Sequence, residues 1–301
     1  MNAALAESAP RPSPLDAPVL FVSGAPRSGT TLMAQALIRY FDLGFVDNLT
    51  ARFWQAPQTG MTLSQSVFGE SRLEAASSDF GRTAGRDIHG FHFFWMEKLA
   101  LEWVDDLFED PARRGVDWRE IQGWIAGMQR LSRAGFLFKG YYPSYFMPQF
   151  LALDPLCVFV CIERDPIEQA LSVYDARQKE MLSLESWWSM QPPDYYELVD
   201  KDVDEQILGQ ITGLNAHFRQ LASQAGDRCI FVRYENLCSD PEGTLIHIGE
   251  AVEKATGFAL SRRGLVPEIT RTHRKSDKSQ AALVARLVER LAQFEKSGDT
   301  A

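Results

Sequence analysis

The sequence has little of several features that would define other kinds of protein. It has only four cysteines (Cys157, Cys161, Cys229 and Cys238), all in or beside apolar, strand-like runs. They show no metal-ligand spacing, so we expect reduced core thiols and no metal site. No apolar run reaches the length of a membrane span, and the N-terminus lacks the basic start and apolar core of a signal peptide. We therefore expect a cytoplasmic protein with no membrane partner.

Positive charge is also scarce. The formal net charge is −9, which argues against a nucleic-acid partner and requires any phosphate site to be a local positive pocket. With 45% hydrophobic and 24% charged residues, the chain has the composition of a soluble globular protein. Residues 1–17 are rich in Ala, Pro and Ser, and their composition predicts a disordered lead-in. We expect residues 18–301 to form a single domain.

A lysine is missing from a glycine-rich loop near the start of the chain. The strand-like run Val19–Ser23 leads into Gly24-x-x-x-x-Gly29-Thr30-Thr31, and a helical pattern follows at once. This is the spacing of a P-loop, with Thr30 where the lysine would stand. A loop without that lysine is poorly suited to a triphosphate but can hold one phosphate and its neighbour, with Arg27 as the cation. A glycine turn that only joins strand to helix is the structural alternative.

Two further strands end in a cation. Residues 135–140 read as a strand ending in Lys139, and the apolar run 156–163 leads into Arg164. Asp165 and Pro166 then start a helix that carries Ser172, eight residues after the arginine. Parallel sheets bind ligands at the carboxyl ends of their strands, so these side chains could meet at one site. The alternatives are a solvated lysine and an incidental arginine and serine on the surface.

Two histidines lie in a long, predominantly helical section, residues 44–134. His89 and His92 stand three residues apart in a run of aromatic residues that ends at Trp95. A histidine in such a setting can be a proton acceptor, and a satisfied structural histidine is the alternative. We expect a catalytic role for one of them, with His89 ahead of His92.

These motifs, in this order, resemble those of sulfotransferases that use 3′-phosphoadenosine 5′-phosphosulfate (PAPS). The resemblance implies that the loop residues bind the 5′-phosphosulfate: Pro26, Arg27, Ser28, Gly29, Thr30 and Thr31. It implies that Arg164 and Ser172 grip the 3′-phosphate, and that Tyr234, within the strand-like run 229–237, helps to enclose the adenine. Lys139 and Arg27 would stabilise charge on the transferring group, and His89 or His92 would be the base. Other members of the family use a glutamate in this region, so Glu97 is a further candidate for the base.

The fold that the resemblance and the alternating strands and helices imply is a three-layer α/β protein with a mostly parallel sheet. Residues 44–134 would form a helical insertion on the acceptor side. The expected reaction moves a sulfuryl group from PAPS to a hydroxyl of a small apolar, aromatic-bearing or carbohydrate acceptor, leaving adenosine 3′,5′-bisphosphate. No step needs a metal. A nucleotide kinase or hydrolase and a non-catalytic PAPS-binding module are the alternatives.

Several segments have no assigned role at this point. Residues 179–200 carry four aromatic residues and could cover the acceptor or simply pack. Residues 60–85 are rich in glycine and serine, and the basic cluster Arg271–Ser276 precedes the last helical pattern. The oligomeric state is open.

Overall fold

The computed structural model describes residues 10–69, 83, 85–269 and 280–298. At the centre of the described chain lies a five-stranded, fully parallel sheet. Its strands are β1 (Val19–Ser23), β2 (Leu43–Phe45), β3 (Gly135–Lys139), β4 (Cys157–Glu163) and β5 (Cys229–Arg233). Their order across the sheet is β2-β3-β1-β4-β5, so β1 lies between the two strands that end in Lys139 and Glu163.

Helices make up most of the remaining described chain. They are α1 (Thr30–Tyr40), α2 (Pro57–Phe68), α3 (His92–Lys98), α4 (Trp118–Ser132), α5 (Met147–Leu153), α6 (Pro166–Ala176), α7 (Tyr195–Leu198), α8 (Val203–Ala222), α9 (Tyr234–Ser239), α10 (Pro241–Thr256) and α11 (Ala281–Gly298). Two of them begin with the Asp-Pro pair that the sequence shows. Asp165 accepts hydrogen bonds from the first-turn amides of α6, and Asp240 does the same for α10.

Both faces of the sheet are buried, which explains why its strands are almost continuously apolar. On one face, Phe21 packs against Phe138 and Phe159 at ring distances of 5.4 and 4.9 Å. The same cluster contains Trp95 of α3 and Trp124 of α4. On the other face, side chains of β1, α1 and α10 form a second cluster. The three-layer α/β architecture predicted from the sequence is therefore confirmed.

Three local features differ from the sequence predictions. The short edge strand β2 was not predicted, because three residues give too little pattern to recognise. The strand-like run that begins at Cys229 ends at Arg233, and Tyr234 is the first residue of α9. The described residues 10–17 pack against the body of the protein: the side chain of Leu15 is buried, and its amide donates to Asp154 at 3.1 Å.

Some sequence features fall outside the described residues. These are residues 1–9, residues 70–82 and 84 of the glycine- and serine-rich stretch, and the basic cluster Arg271–Ser276. Within the described residues, no helix combines the length and apolar character needed to cross a membrane.

Candidate active site

The glycine-rich loop joins β1 to α1 at the centre of the sheet. Arg27 has a φ of 65° and Gly29 a φ of 106°, so the chain turns through the left-handed region twice. The positive φ of Gly29 disfavours a side chain there, and a Cβ at this position would also lie only 2.5 Å from Cδ2 of Tyr234. Gly29 is the N-cap of α1, and no side chain caps that helix. Its first-turn amides and the positive end of the helix dipole therefore suit an anion.

Helix α6 braces this loop from the side of β4. Nε of Arg27 donates to Oγ of Ser172 at 2.8 Å, and the Gln169 amide donates to the carbonyl of Pro26 at 3.0 Å. Ser172 is 1% exposed and Gln169 is fully buried. Gln169 was not predicted from the sequence, although its place one helical turn before Ser172 puts both residues on the same face of α6. The structure thus places Arg27 and Ser172, which are 145 residues apart, in direct contact.

Arg164 lies between the loop, α6 and α9. Its guanidinium stacks over the ring of Tyr234 at 4.4 Å, pairs with Glu168 at 3.3 Å and approaches the carbonyl of Arg27 at 3.4 Å. The stacking on Tyr234 fixes the plane of the guanidinium. The same ring packs against Gly29, so Tyr234 links the loop to Arg164.

Two buried donors beside the loop have no hydrogen-bond partner among the described residues. They are Oγ of Ser28 and Nε of Arg164. Buried polar groups are almost always paired, so these two unpaired donors beside an uncapped helix start are available to an anion. The residues of this loop therefore fit a bound phosphate group.

Lys139 reaches the same site from the end of β3. The amide of Gly140 continues the pairing with β1 by donating to the carbonyl of Val22 at 2.8 Å, which fixes the backbone beside Lys139. Burial, followed by the positive charge of Arg27, lowers the pKa of Lys139 to about 8, while Asp87 acts in the opposite direction. Asp87 is itself buried and accepts a hydrogen bond from Gln35 of α1 at 2.6 Å. A lysine with such a pKa is charged at neutral pH but close to titration.

The two histidines lie next to Lys139, on the side of β2. The main-chain amide of His89 donates to the carbonyl of Val46, directly after β2, at 2.8 Å. The His89 and His92 rings are 6.0 Å apart and nearly perpendicular. Burial lowers the pKa of both imidazoles, and the charge of Lys139 lowers it further; for His92 the result is about 4. Both histidines are therefore neutral at pH 7, which a proton acceptor must be.

Glu97 has a different environment. Its carboxylate forms an ion pair with Lys98 at 2.8 Å, and Lys98 also pairs with Glu120 of α4 at 2.9 Å. Glu97 is therefore paired with a lysine that is also bound to α4, whereas both histidines are close enough to Lys139 to interact with its charge.

Aromatic side chains surround His92. The rings of Tyr141 and Tyr142 meet the His92 ring edge-on at 5.0 and 5.8 Å. The stretch 179–200 lies against this wall, since Tyr141 is hydrogen-bonded to Ser189 and the Tyr145 hydroxyl donates to the carbonyl of Gln191 at 2.8 Å. Phe93 is 65% exposed, and its ring lies 6.3 Å from the ring of Trp54.

Among the described residues, no group of three or more His, Cys, Asp and Glu side chains could hold a metal ion. The described chain thus brings together a glycine-rich loop at an uncapped helix start, three cations and two neutral histidines.

This combination agrees with the comparison to known proteins. The family model described as "Sulfotransferase family" matches residues 18–254. The chain therefore belongs to the sulfotransferase family, and its fold is the P-loop-like fold of that family.

Solved sulfotransferase structures are similar to this chain at low sequence identity, and one of them has a TM-score above 0.5. Sulfotransferase STF1 from Mycobacterium tuberculosis is 16% identical with a TM-score of 0.51, over 93% of this chain and 77% of that one. Sulfotransferase STF9 from Mycobacterium avium is 13% identical with a TM-score of 0.49, over 81% of this chain and 68% of that one. Among curated proteins the sequence has no significant match.

Proposed function

We propose that the protein is a PAPS-dependent sulfotransferase that transfers a sulfuryl group to a hydroxyl of a small acceptor. The observation that carries the proposal is the contact of Arg27 with Ser172 beside Arg164. It brings the loop that would hold the 5′-phosphosulfate next to the pair that would hold the 3′-phosphate. A nucleotide with phosphates at both positions is the ligand that needs both halves.

The residues divide into those for the donor and those for the chemistry. The loop from Pro26 to Thr31 would bind the 5′ side through its amides, and Arg164 and Ser172 would bind the 3′-phosphate. Tyr234, stacked on Arg164, would border the adenine.

In the reaction the acceptor oxygen attacks the sulfur atom in line with the bond to the phosphate. The new oxygen–sulfur bond forms as that bond breaks, and adenosine 3′,5′-bisphosphate leaves with the electron pair. A histidine takes the proton of the hydroxyl. Lys139 and Arg27 stabilise the negative charge on the transferring group and on the leaving phosphate.

The acceptor side favours a molecule with an aromatic or apolar body. Tyr141 and Tyr142 place their rings against His92, and each ring carries one hydroxyl group beside a large apolar area. An aromatic-bearing alcohol or a phenol fits this surface. A carbohydrate could stack on the same rings, and the acceptor screen below separates the two.

The test is a direct transfer assay. The purified chain is incubated with PAPS labelled at the sulfuryl group and with panels of phenols, aromatic alcohols, aliphatic alcohols and oligosaccharides, and label is followed into the acceptor. Label in a phenol or an aromatic alcohol is expected, and Arg164→Ala should reduce it. Tight binding of PAPS without transfer to any panel would favour a non-catalytic module. Transfer of label from γ-labelled ATP with magnesium would instead indicate a kinase.

A further inference from the structure

The hydrogen bonding of His89 decides which of its ring nitrogens carries the proton. The amide of Phe91 donates to Nδ1 of His89 at 2.9 Å. A neutral imidazole has one N–H donor and one acceptor nitrogen. Because Nδ1 accepts here, Nε2 must carry the hydrogen. In this arrangement neither nitrogen of His89 has a lone pair available for a substrate proton.

The surrounding structure holds that arrangement in place. Phe91 adopts a φ of 53°, an unusual backbone for a bulky residue, and its fully buried ring stacks on Phe94 at 4.5 Å. This packing aims the Phe91 amide at His89. At the other side, the backbone hydrogen bond from His89 to Val46 fixes the main chain of the histidine.

The charges that face His89 also oppose its protonation. Lys139 and Arg52 lower the pKa of His89, in addition to burial, while Asp47 alone raises it. A second ring proton on Nδ1 would point at the Phe91 N–H and break the hydrogen bond. His89 is therefore built to remain neutral and to donate from Nε2.

His92 has the complementary properties. Its ring forms no hydrogen bond to the described residues, and its neighbours are the rings of Tyr141, Tyr142 and His89 and the charge of Lys139. Gly90 makes room for the ring, because a Cβ there would lie 2.6 Å from Nε2 of His92. A neutral ring without a committed nitrogen can accept a proton.

We propose that the two histidines act on one acceptor hydroxyl, with His92 as the general base and His89 as a hydrogen-bond donor to the same oxygen. The ring centroids are 6.0 Å apart, so a nitrogen of each ring that faces the gap would lie within hydrogen-bond reach, about 2.8 Å, of one shared oxygen atom. The Nε2–H of His89 occupies one lone pair of the acceptor oxygen. The hydroxyl proton then points to His92, which takes it as the oxygen–sulfur bond forms. This inference rests on the proposed function, and it identifies His92 as the general base of that reaction.

Glutamine variants test the division of roles. The amide nitrogen of glutamine can take the place of Nε2–H as a donor, but the side chain cannot take up a proton at neutral pH. His89→Gln should keep the rate within about tenfold of the wild-type rate and keep the acid-side limb of the pH profile. His92→Gln should lose a factor of about 10²–10⁴ in kcat and lose the limb. His247→Gln, on the exposed face of α10, is the matched control and should change neither.

A second measurement does not depend on activity. Nitrogen-15 NMR of the labelled full-length chain near pH 7 should show His89 as the Nε2–H tautomer. The signals of His89 and His92 are assigned by their loss in the corresponding glutamine variants. An Nδ1–H tautomer or an imidazolium at His89 overturns the proposal, as does loss of the acid-side limb in His89→Gln with retention in His92→Gln. If wild type transfers no sulfuryl group, the proposed function fails, and the tautomer is still decided by NMR.

Discussion

Removal of the Arg164 side chain is the most direct perturbation of the donor site. In Arg164→Ala the fold should persist, because the strand β4 before it and the Asp165 cap of α6 do not depend on the guanidinium. The affinity for adenosine 3′,5′-bisphosphate should fall. The reason is that Arg164 is 8% exposed and therefore meets its ligand out of bulk water.

The size of the effect follows from the contacts of the guanidinium. A charge-assisted hydrogen bond contributes about 1.5–3 kcal/mol, or about tenfold to 150-fold in Kd. Nε of Arg164 has no hydrogen-bond partner in the described chain, so a bond from it to phosphate replaces no existing protein contact. We therefore expect the upper half of that range. Arg164→Lys keeps the charge but loses the fork and the stacking on Tyr234, and it should fall between wild type and alanine.

Isothermal titration calorimetry with adenosine 3′,5′-bisphosphate measures the effect, and a thermal melt reports on the fold. Arg219→Ala is the matched control: this arginine pairs with Glu163, the residue before Arg164, but its side chain is 64% exposed. It should bind like wild type. Arg164→Ala also removes a partner of the buried Glu168, so Arg164→Ala/Glu168→Gln separates lost attraction from added repulsion. Wild-type affinity in the double variant would refute the 3′-phosphate assignment.

Three further predictions concern the chemistry. PAPS should be preferred to ATP in competition binding, and turnover should survive EDTA, because Thr30 stands where a γ-phosphate would meet lysine; loss of turnover in EDTA would count against this. The value of kcat/KM should fall as the pH rises through about 8, because Lys139 loses its charge there, and Lys139→Arg should move that limb to higher pH. Gly90→Ala should lower kcat by displacing the His92 ring while calorimetry shows unchanged nucleotide affinity; an unchanged kcat would contradict the placement of His92.

Most of the central sheet was predictable, because the longer buried strands have a recognisable sequence pattern. The runs at β1, β3 and β4 are apolar, and each ends at a glycine, a proline or a charged residue that cannot continue it. Helix α4 lies in the section 44–134 that the sequence predicted to be predominantly helical. Strand β2 was not predictable, since its three residues owe their conformation to pairing with β3.

The site was predictable in its residue types but not in its pairings. The order of motifs predicts a cation at or after the end of each of the strands β1, β3 and β4. The neighbouring residues in the sequence do not predict that Arg27 donates to Ser172 or that Arg164 stacks on Tyr234. Such contacts depend on how α6 and α9 cross the sheet. The tautomer of His89 was equally hidden, because it follows from the backbone angle of Phe91 rather than from any residue pattern.

In the proposed reaction, Lys139 would connect a donor half of the site with an acceptor half. β1, β4 and α6 position Arg27 and Ser172 of the proposed donor half, whereas the crossover from β2 to β3 carries the histidines of the proposed acceptor half. Lys139 ends β3, between the two, and its charge interacts with Arg27 on one side and with His89 and His92 on the other. A negatively charged sulfuryl group bound there would raise the pKa of Lys139 and of both histidines. In the proposed mechanism, donor binding would therefore keep the lysine charged and make His92 a stronger base, so the acceptor half would gain its chemistry when the donor half is filled.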